Sequence, residues 1–509
     1  MKLILTAIFV VLTTLSFGQQ IKFKIAGQKD TTVNLVRYFG KGLYYADTAE
    51  MKDGVAIFDG SKEKSGILAL YLPGQQMLEF IFNGEEIYIE TALPNLMKSA
   101  KIKKSDENKI FSGYISFIAS KKEKSIKLVE ERKAIEKDTE EYNSITKKIN
   151  EANNEVLSYQ KNIIKDNPEM LVSKIIKMSM DIVIPDSPTN EAGEIIDSSF
   201  RFNYYREHFF DNIDLTDDRL VRTPIYHNKL NTYFSKQMMV QHWDTVLHYA
   251  FKLCDQLLLG SEMYQYNVSW ITSQYEQSKI MGMDKVFVMM GDRYYRGNDP
   301  KGDPKAFWMK KESLDKLVDK VDVNMNLVIG SKPVNISLLD TTDQKWYDFY
   351  SLDAEYTILY FWDPQCGHCK KITPKLQTLY EEKFKARNIE IFAIGKAVGE
   401  DFENWKKFIS DNNLEFINVA VTDRLYTEAM KDARQFVPKY TSIESLNYQK
   451  TYDVFTSPKV FILDKDKRII AKSLSISQLE NLMDRLQDKA DLPKLFPPDL
   501  ENPEDEQMH

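Results

Sequence analysis

"YTILYFWDPQCGHCKKITPKLQTLY", residues 356–380, holds two of the three cysteines of a 509-residue chain, spaced Cys366-Gly367-His368-Cys369. An apolar and aromatic run of strand character leads into the pair, and a helix-like segment follows it. A thiol attacks only as its thiolate, and a free cysteine with a pKa near about 8.5 is mostly protonated at neutral pH. A strand that passes at once into a helix sets Cys366 at the helix N-terminus. There, unpaired N–H groups and the positive end of the helix dipole stabilise the anion. Cys369 lies one turn further on, close enough to close a disulfide. Cys366 is therefore expected to attack a substrate disulfide and Cys369 to resolve the mixed disulfide. His368, inside the loop, adds a polar and potentially cationic neighbour that favours the thiolate further.

The surrounding pattern places this pair in an α/β domain over residues 325–490. "WYDFYSL", "YTILYFW" and "NIEIFAIGKA" read as strands, and the helical "DFENWKKFISDNN" separates "IEIFAIG" from "EFINVAVTD". "SPKVFILDKDKRIIAKSL" reads as a hairpin and "SQLENLMDRLQDK" as a closing helix. Strands alternating with helices predict a sheet with helices on both faces. The Pro-rich, acidic end, residues 491–509, is expected to be a disordered tail.

"FWDPQCGHCKKITP" resembles the thioredoxin active site, Phe-Trp-x-x-x-Cys-x-x-Cys-Lys-x-x-x-Pro, and "FTSPKVFILDKD" resembles that family's second signature. The resemblance implies that Ser457-Pro458 forms the cis-proline turn facing the disulfide, so Pro458 joins Cys366, Cys369 and His368 as a site residue. The leader "GSKPVNISLLDTTDQKWYDFYSL" is similar to that of the TlpA-like branch, exported reductases acting on disulfides in the bacterial envelope. The Cys-Gly-His-Cys centre is similar to that of protein disulfide isomerases. Further upstream, "YYREHFFDNIDLTDDRLVRTP" and "GMDKVFVMMGDRYY" resemble exported thioredoxin-like proteins of Gram-negative bacteria in which a β-rich domain precedes a helical region. Three positions depart from the family pattern. Gln365 stands where thioredoxin has tryptophan, and Ile372 where the TlpA-like branch often carries glutamate. Tyr360 aligns with the family's buried acid, so a different proton acceptor must serve Cys369.

The rest of the chain divides by texture. One lysine and an apolar run from Leu3 to Leu15, followed by Ser16-Phe17-Gly18, read as a signal peptide over residues 1–18, since a bilayer span needs about 20 apolar residues. Residues 19–95 alternate apolar and polar residues in six or seven short runs, predicting a small antiparallel β-sandwich-like domain. Residues 96–324 form an all-α helical region. In it Leu128, Ile135, Tyr142, Ile149, Val156 and Ile163 recur every seven residues on a charged helix or helical hairpin. Cys254, in "HYAFKLCDQLLLG", reads as a buried thiol. His242 and His248 fall on different helix faces and make a poor metal pair.

These features point to a periplasmic thiol–disulfide oxidoreductase with protein disulfides as substrates, an upstream thiol as electron donor, no cofactor and no metal. Disulfide isomerisation or oxidation, and a non-catalytic binding protein that keeps the fold, are the alternatives. Copper delivery would need a third ligand, and the histidine downstream of Cys369 is the terminal His509. A peroxidase would need threonine where Asp363 stands. The net charge of −7 argues against nucleic acid as partner, and no later segment is apolar enough to span a membrane.

Overall fold

The computed structural model describes residues 19–496. The segment read as a signal peptide and residues 497–509 of the tail lie outside the described residues. The chain forms two compact units: one runs to Met239 and includes Gln256–Tyr266, the other comprises Val240–Asp255 and the chain from Asn267 on.

The first unit opens with eight strands: β1 (Gln20–Ala26), β2 (Thr31–Phe39), β3 (Gly42–Met51), β4 (Val55–Asp59), β5 (Gly66–Leu72), β6 (Gln76–Phe82), β7 (Ile87–Ala92) and β8 (Lys101–Lys104). They make two four-stranded sheets, ordered β4-β1-β7-β8 and β3-β2-β5-β6. Alternate residues of most of these strands face a common core in which Phe23 meets Phe80 edge-on at 5.3 Å. The expectation of a purely antiparallel sandwich fails at β1 and β7, which pair in parallel from Ile21↔Ile87 to Ala26↔Ala92. Period-two alternation specifies which side chains turn inward and leaves strand direction open. β8, "KIKK", lies beyond the expected border at residue 95; its lysines suit an edge strand and hide it from a search for apolar alternation.

The all-α region follows. The seven-residue seam belongs to a helical hairpin, α1 (Asp106–Lys133) and α2 (Glu140–Asp166), closed by a small core of Leu128, Ile145 and Ile149. Two residues at the start of α1 tie it to its surroundings. Asn108 exchanges two hydrogen bonds with the backbone of Ile81, at 2.8 and 2.6 Å. The buried Glu107 carboxylate accepts the N–H groups of Leu171 and Val172, both at 2.9 Å, and so satisfies the first donors of α3 (Leu171–Ser179). Then come α4 (Phe200–Glu207), α5 (Pro224–Tyr233), α6 (Trp243–Cys254), α7 (Glu262–Glu276), α8 (Asp284–Tyr294) and α9 (Lys311–Met325).

In the second unit a seven-stranded sheet runs β10-β9-β13-β12-β11-β14-β15. Its strands are β9 (Ser337–Asp340), β10 (Trp346–Asp348), β11 (Tyr356–Trp362), β12 (Ile389–Ala397), β13 (Ile417–Thr422), β14 (Lys459–Leu463) and β15 (Ile469–Lys472). The helices are α10 (Gly367–Leu379), α11 (Asp401–Asp411), α12 (Asp423–Asp432), the short α13 (Ile443–Leu446) and α14 (Tyr448–Thr451), and α15 (Ile476–Leu486). β11, β12 and β13 are parallel, and β14 is antiparallel to β11. β11 is buried on both faces. Ile358, Tyr360 and Trp362 point into one core with α10 and α15, while Leu359 and Phe361 point into the other. That explains why the strand reads as a continuous apolar run. Gly395 on β12 is required by packing: a Cβ there would sit 2.1 Å from the indole nitrogen of the buried Trp405.

Contacts in this unit run across two of the expected borders. The chain ahead of residue 325 does not stand apart from the sheet. Lys472 on β15 pairs with Asp284 of α8 and donates to the Leu327 carbonyl at 2.7 Å, and Phe287, Val288, Val321 and Val328 share a core. The start of the expected tail is tied down as well. The N–H groups of Leu495 and Phe496 each donate to the buried Glu480 carboxylate at 2.9 Å, and Lys494 reaches Asp484 at 2.6 Å. Composition flags this stretch as loose, but two buried carboxylates need donors and the stretch supplies them. Glu480 also pairs with Lys383. Replacing it (Glu480→Ala) removes one side of a buried pair and is expected to lower the stability of this unit by about 3 kcal/mol or more, read as an earlier urea transition.

Candidate active site

β11 ends at Trp362, and a short turn leads into α10. Asp363 shapes that turn: its carboxylate accepts the Gln365 N–H at 2.7 Å, and its carbonyl accepts the Cys366 N–H at 3.1 Å. Cys366 is the N-cap of α10 in extended conformation, φ −69° and ψ 123°, and its carbonyl accepts the Lys370 N–H at 3.0 Å. Its sulfur thus lies among the first free N–H groups of the helix. Both cysteines are free thiols, Cys366 partly exposed and Cys369 buried.

The two thiols sit in opposite electrostatic settings. Partial burial pushes the Cys366 thiol up, but the peptide N–H groups of Cys369 and His368, the Ser457 side chain and the Cys369 thiol outweigh it, and the net value lies below that of an ordinary cysteine. Burial pushes Cys369 up to about 12, against an opposing pull from the Asp363 N–H, which lies 3.5 Å from its sulfur. At neutral pH, Cys366 is therefore the thiol enriched in thiolate and Cys369 remains protonated.

The loop before β14 closes the site. Ser457–Pro458 is a cis peptide, and the Cys366 thiol donates to the Ser457 carbonyl at 3.4 Å. The structure thus brings Cys366, Cys369, His368 and the Ser457-Pro458 turn together. His368 is partly buried, its imidazole Nε2 makes no hydrogen bond, and its peptide N–H is among the groups that lower the Cys366 pKa. Cys254 stands apart from this description as a buried thiol on α6 whose burial raises its pKa.

Residues 353–469 match a thioredoxin-like family model, and residues 20–111 match a domain of unknown function, DUF4369. Over the former stretch the chain belongs to the thioredoxin-like family. Similar solved structures include a domain of a possible thiol-disulfide isomerase from Cytophaga hutchinsonii, at 31% identity over 33% of this chain and 99% of that one, TM-score 0.26. A thiol-disulfide oxidoreductase from Bacteroides fragilis aligns at 18% identity over 31% of this chain and 99% of its own, TM-score 0.24. A thioredoxin-like protein from Bacteroides caccae aligns at 14% identity over 60% of this chain and 98% of its own, TM-score 0.32. None of the curated proteins matches the chain.

Within the thioredoxin-like domain, Tyr360 is buried in the same core as Cys369. Its hydroxyl shares a hydrogen bond with Thr373 Oγ1 at 2.7 Å, and Thr373 donates to the Cys369 carbonyl at 2.8 Å. Burial holds the phenol far above its ordinary pKa, so it stays neutral. The sequence reading gave no role to the carboxylate of Asp363 or to Lys396, which form an ion pair at 3.4 Å. The signal was a lysine in the otherwise apolar "IFAIGKA" of β12.

Alkylation of the reduced protein by iodoacetamide is expected on Cys366, its rate rising with pH through a midpoint below the usual value of about 8.5, with Cys369 unlabelled over the same range. Peptide mapping at each pH checks both. Substitution at position 368 separates imidazole from peptide: His368→Ala keeps the N–H and His368→Pro removes it. The proline variant is expected to lower the reduction potential by about 30 mV or more, equivalent to about 1.4 kcal/mol, and by more than the alanine variant. Equilibration with glutathione buffers measures the difference.

Proposed function

We propose that the protein is an exported thiol–disulfide oxidoreductase that reduces protein disulfides in the periplasm through Cys366 and Cys369. The observation that carries the reading is the asymmetry of the two thiols, one at a helix N-terminus with lowered pKa and the other buried with raised pKa. The Cys366 thiolate attacks a substrate disulfide, and one substrate sulfur leaves with the bonding electrons. Cys369 then attacks Cys366, forming the intramolecular disulfide and releasing the second substrate sulfur as a thiol. The substrate gains two electrons and the cysteine pair loses them, to be restored by an upstream thiol donor. Ser457-Pro458, facing the pair, borders the place where the substrate chain would lie.

The apolar segment at residues 1–18 supports export, and among the described residues no helix is long and apolar enough to cross a membrane. The domain borders we propose are a β-rich domain from 19, a helical region from about 96 and the thioredoxin-like domain from about 325. The upstream parts hold and select the protein substrate. Cys254, being buried, takes no part, and Cys254→Ser is expected to leave turnover of a disulfide substrate unchanged.

The decisive experiment uses two serine variants of the full-length protein. Cys366→Ser is expected to abolish disulfide reduction, whereas Cys369→Ser is expected to accumulate a mixed disulfide on Cys366, visible by mass spectrometry under non-reducing conditions. Unchanged biological behaviour of the Cys366→Ser variant would instead mark a binding protein that keeps the fold without the chemistry.

A further inference from the structure

The loop that carries Ser457 to the thiols runs from Asp453, just past α14, to Lys459, the first residue of β14. Its tip is held by little packing of its own: Phe455 is 78% exposed, and Thr456 is exposed as well. Ser457 nevertheless keeps a defined place. Its carbonyl accepts from Cys366, and its side chain draws down the pKa of both thiols. The start of the loop is set by Asp453, whose backbone is left-handed at φ 50°. There the Val454 N–H donates to the Gln449 carbonyl at 2.7 Å. The end is set by β14, where Lys459 pairs with Phe361 of β11. One side chain joins the two ends. Lys459 Nζ donates to the Asp453 carbonyl at 2.6 Å and lies 3.5 Å from the Asp453 carboxylate, so it closes the loop across its base.

The Lys459 side chain is only 16% exposed, and burying an ammonium is unfavourable unless it is paired. Besides Asp453, the charged groups that face it are Lys472 on β15 and Asp284 of α8, and those two pair with each other. Glu276, Lys279 and Lys320 line the same cavity of about 330 Å³, where Lys320 meets Glu276 at 2.8 Å. Asp453 is thus the partner that the Lys459 head group finds here, and an aliphatic side chain would occupy the site without desolvating a charge. We propose that Lys459 is a positioning residue: by joining Asp453 to the start of β14, it holds the Ser457 side chain where that side chain acts on the Cys366 sulfur. This rests on the reading of Cys366 as the nucleophile of an exchange pair.

The test follows the rate of Cys366 alkylation by iodoacetamide against pH in the reduced full-length protein, with peptide mapping. Lys459→Met keeps the aliphatic stem and removes the donor. Its midpoint is expected to move up by about 0.5 to 1 pH unit, the worth of one hydrogen bond. Lys459→Arg, a cationic donor of similar reach, is expected to stay closer to wild type. A Ser457→Ala background separates positioning from charge. There Lys459→Met is expected to raise the midpoint no further, because the group it positions is gone. An unshifted midpoint in folded Lys459→Met overturns the proposal, as does a shift in Lys459→Arg as large as that in Lys459→Met. A rise of equal size in both backgrounds also overturns it, since that marks a direct effect of the lost charge. If Lys459→Met fails to fold, the shorter, neutral Lys459→Gln is read in the same way. Failure of both to fold overturns the proposal and leaves Lys459 a residue of stability alone. A wild-type midpoint at the ordinary value of about 8.5 overturns the reading of Cys366 as the activated nucleophile and this proposal together.

Discussion

One helix N-terminus can stabilise one thiolate, and the arrangement of the carboxyl-terminal domain follows from which of two cysteines receives it. The peptide N–H groups of Cys369 and His368 at the start of α10 pull the Cys366 pKa down. Cys369, a turn further along, points its sulfur into the core beneath. The difference does not depend on any side chain near the thiols being charged. It depends on α10 starting at Gly367 and nowhere else, which the Asp363 turn secures through hydrogen bonds to Gln365 and Cys366. The turn in turn needs a rigid support. β11 supplies it as a central strand, paired with β12 on one side and β14 on the other and packed on both faces. Because β14 follows directly from Pro458, that pairing also fixes the Ser457 carbonyl against the Cys366 sulfur.

Much of this was legible in the sequence because its signals are local. A continuous apolar strand, a Cys-x-x-Cys pair and a helical repeat within 25 residues specify where one sulfur sits relative to one helix end. What stayed hidden is relational. Asp363 and Lys396 are 33 positions apart, and each alone reads as a solvated charge; only the parallel pairing of β11 with β12 brings them together. The role of His368 was read from its side chain; its peptide N–H also lowers the Cys366 pKa, and a backbone group carries no sequence signature beyond not being proline.

The same distinction runs through the upstream half of the chain. Alternation marked the strands of the β-rich domain but not the parallel neighbours β1 and β7, and a lysine-rich edge strand escaped because it exposes most of its residues. The seven-residue seam revealed a hairpin's inner face. It did not reveal Glu107 and Asn108, whose buried polar groups tie α1 to α3 and to β6. At the far end, composition described residues 491–496 as loose, and the demand of two buried carboxylates for donors outweighs it. In each case a polar group far along the chain decides the outcome by needing a partner, a requirement no local pattern records.

The source of thiolate stabilisation also bears on how such a centre behaves as conditions change. An imidazolium is lost as the pH rises past the histidine pKa, near about 6.5 when unperturbed, so a nucleophile that relied on it would weaken at the pH where thiolates become plentiful. Peptide N–H groups do not titrate over this range. The Cys366 thiolate, held chiefly by such donors, keeps its stabilisation from acidic to alkaline pH. Stabilising the reduced form makes a dithiol centre more oxidising. The span between strongly reducing and isomerising centres of this fold, about 90 mV, is about 4 kcal/mol for two electrons. A few backbone hydrogen bonds to an anion, each worth roughly 1.5–3 kcal/mol, suffice for a shift of that size. Direction of electron flow in this fold can therefore be set by which N–H groups the first helical turn presents, with the residues around the loop adjusting it from there.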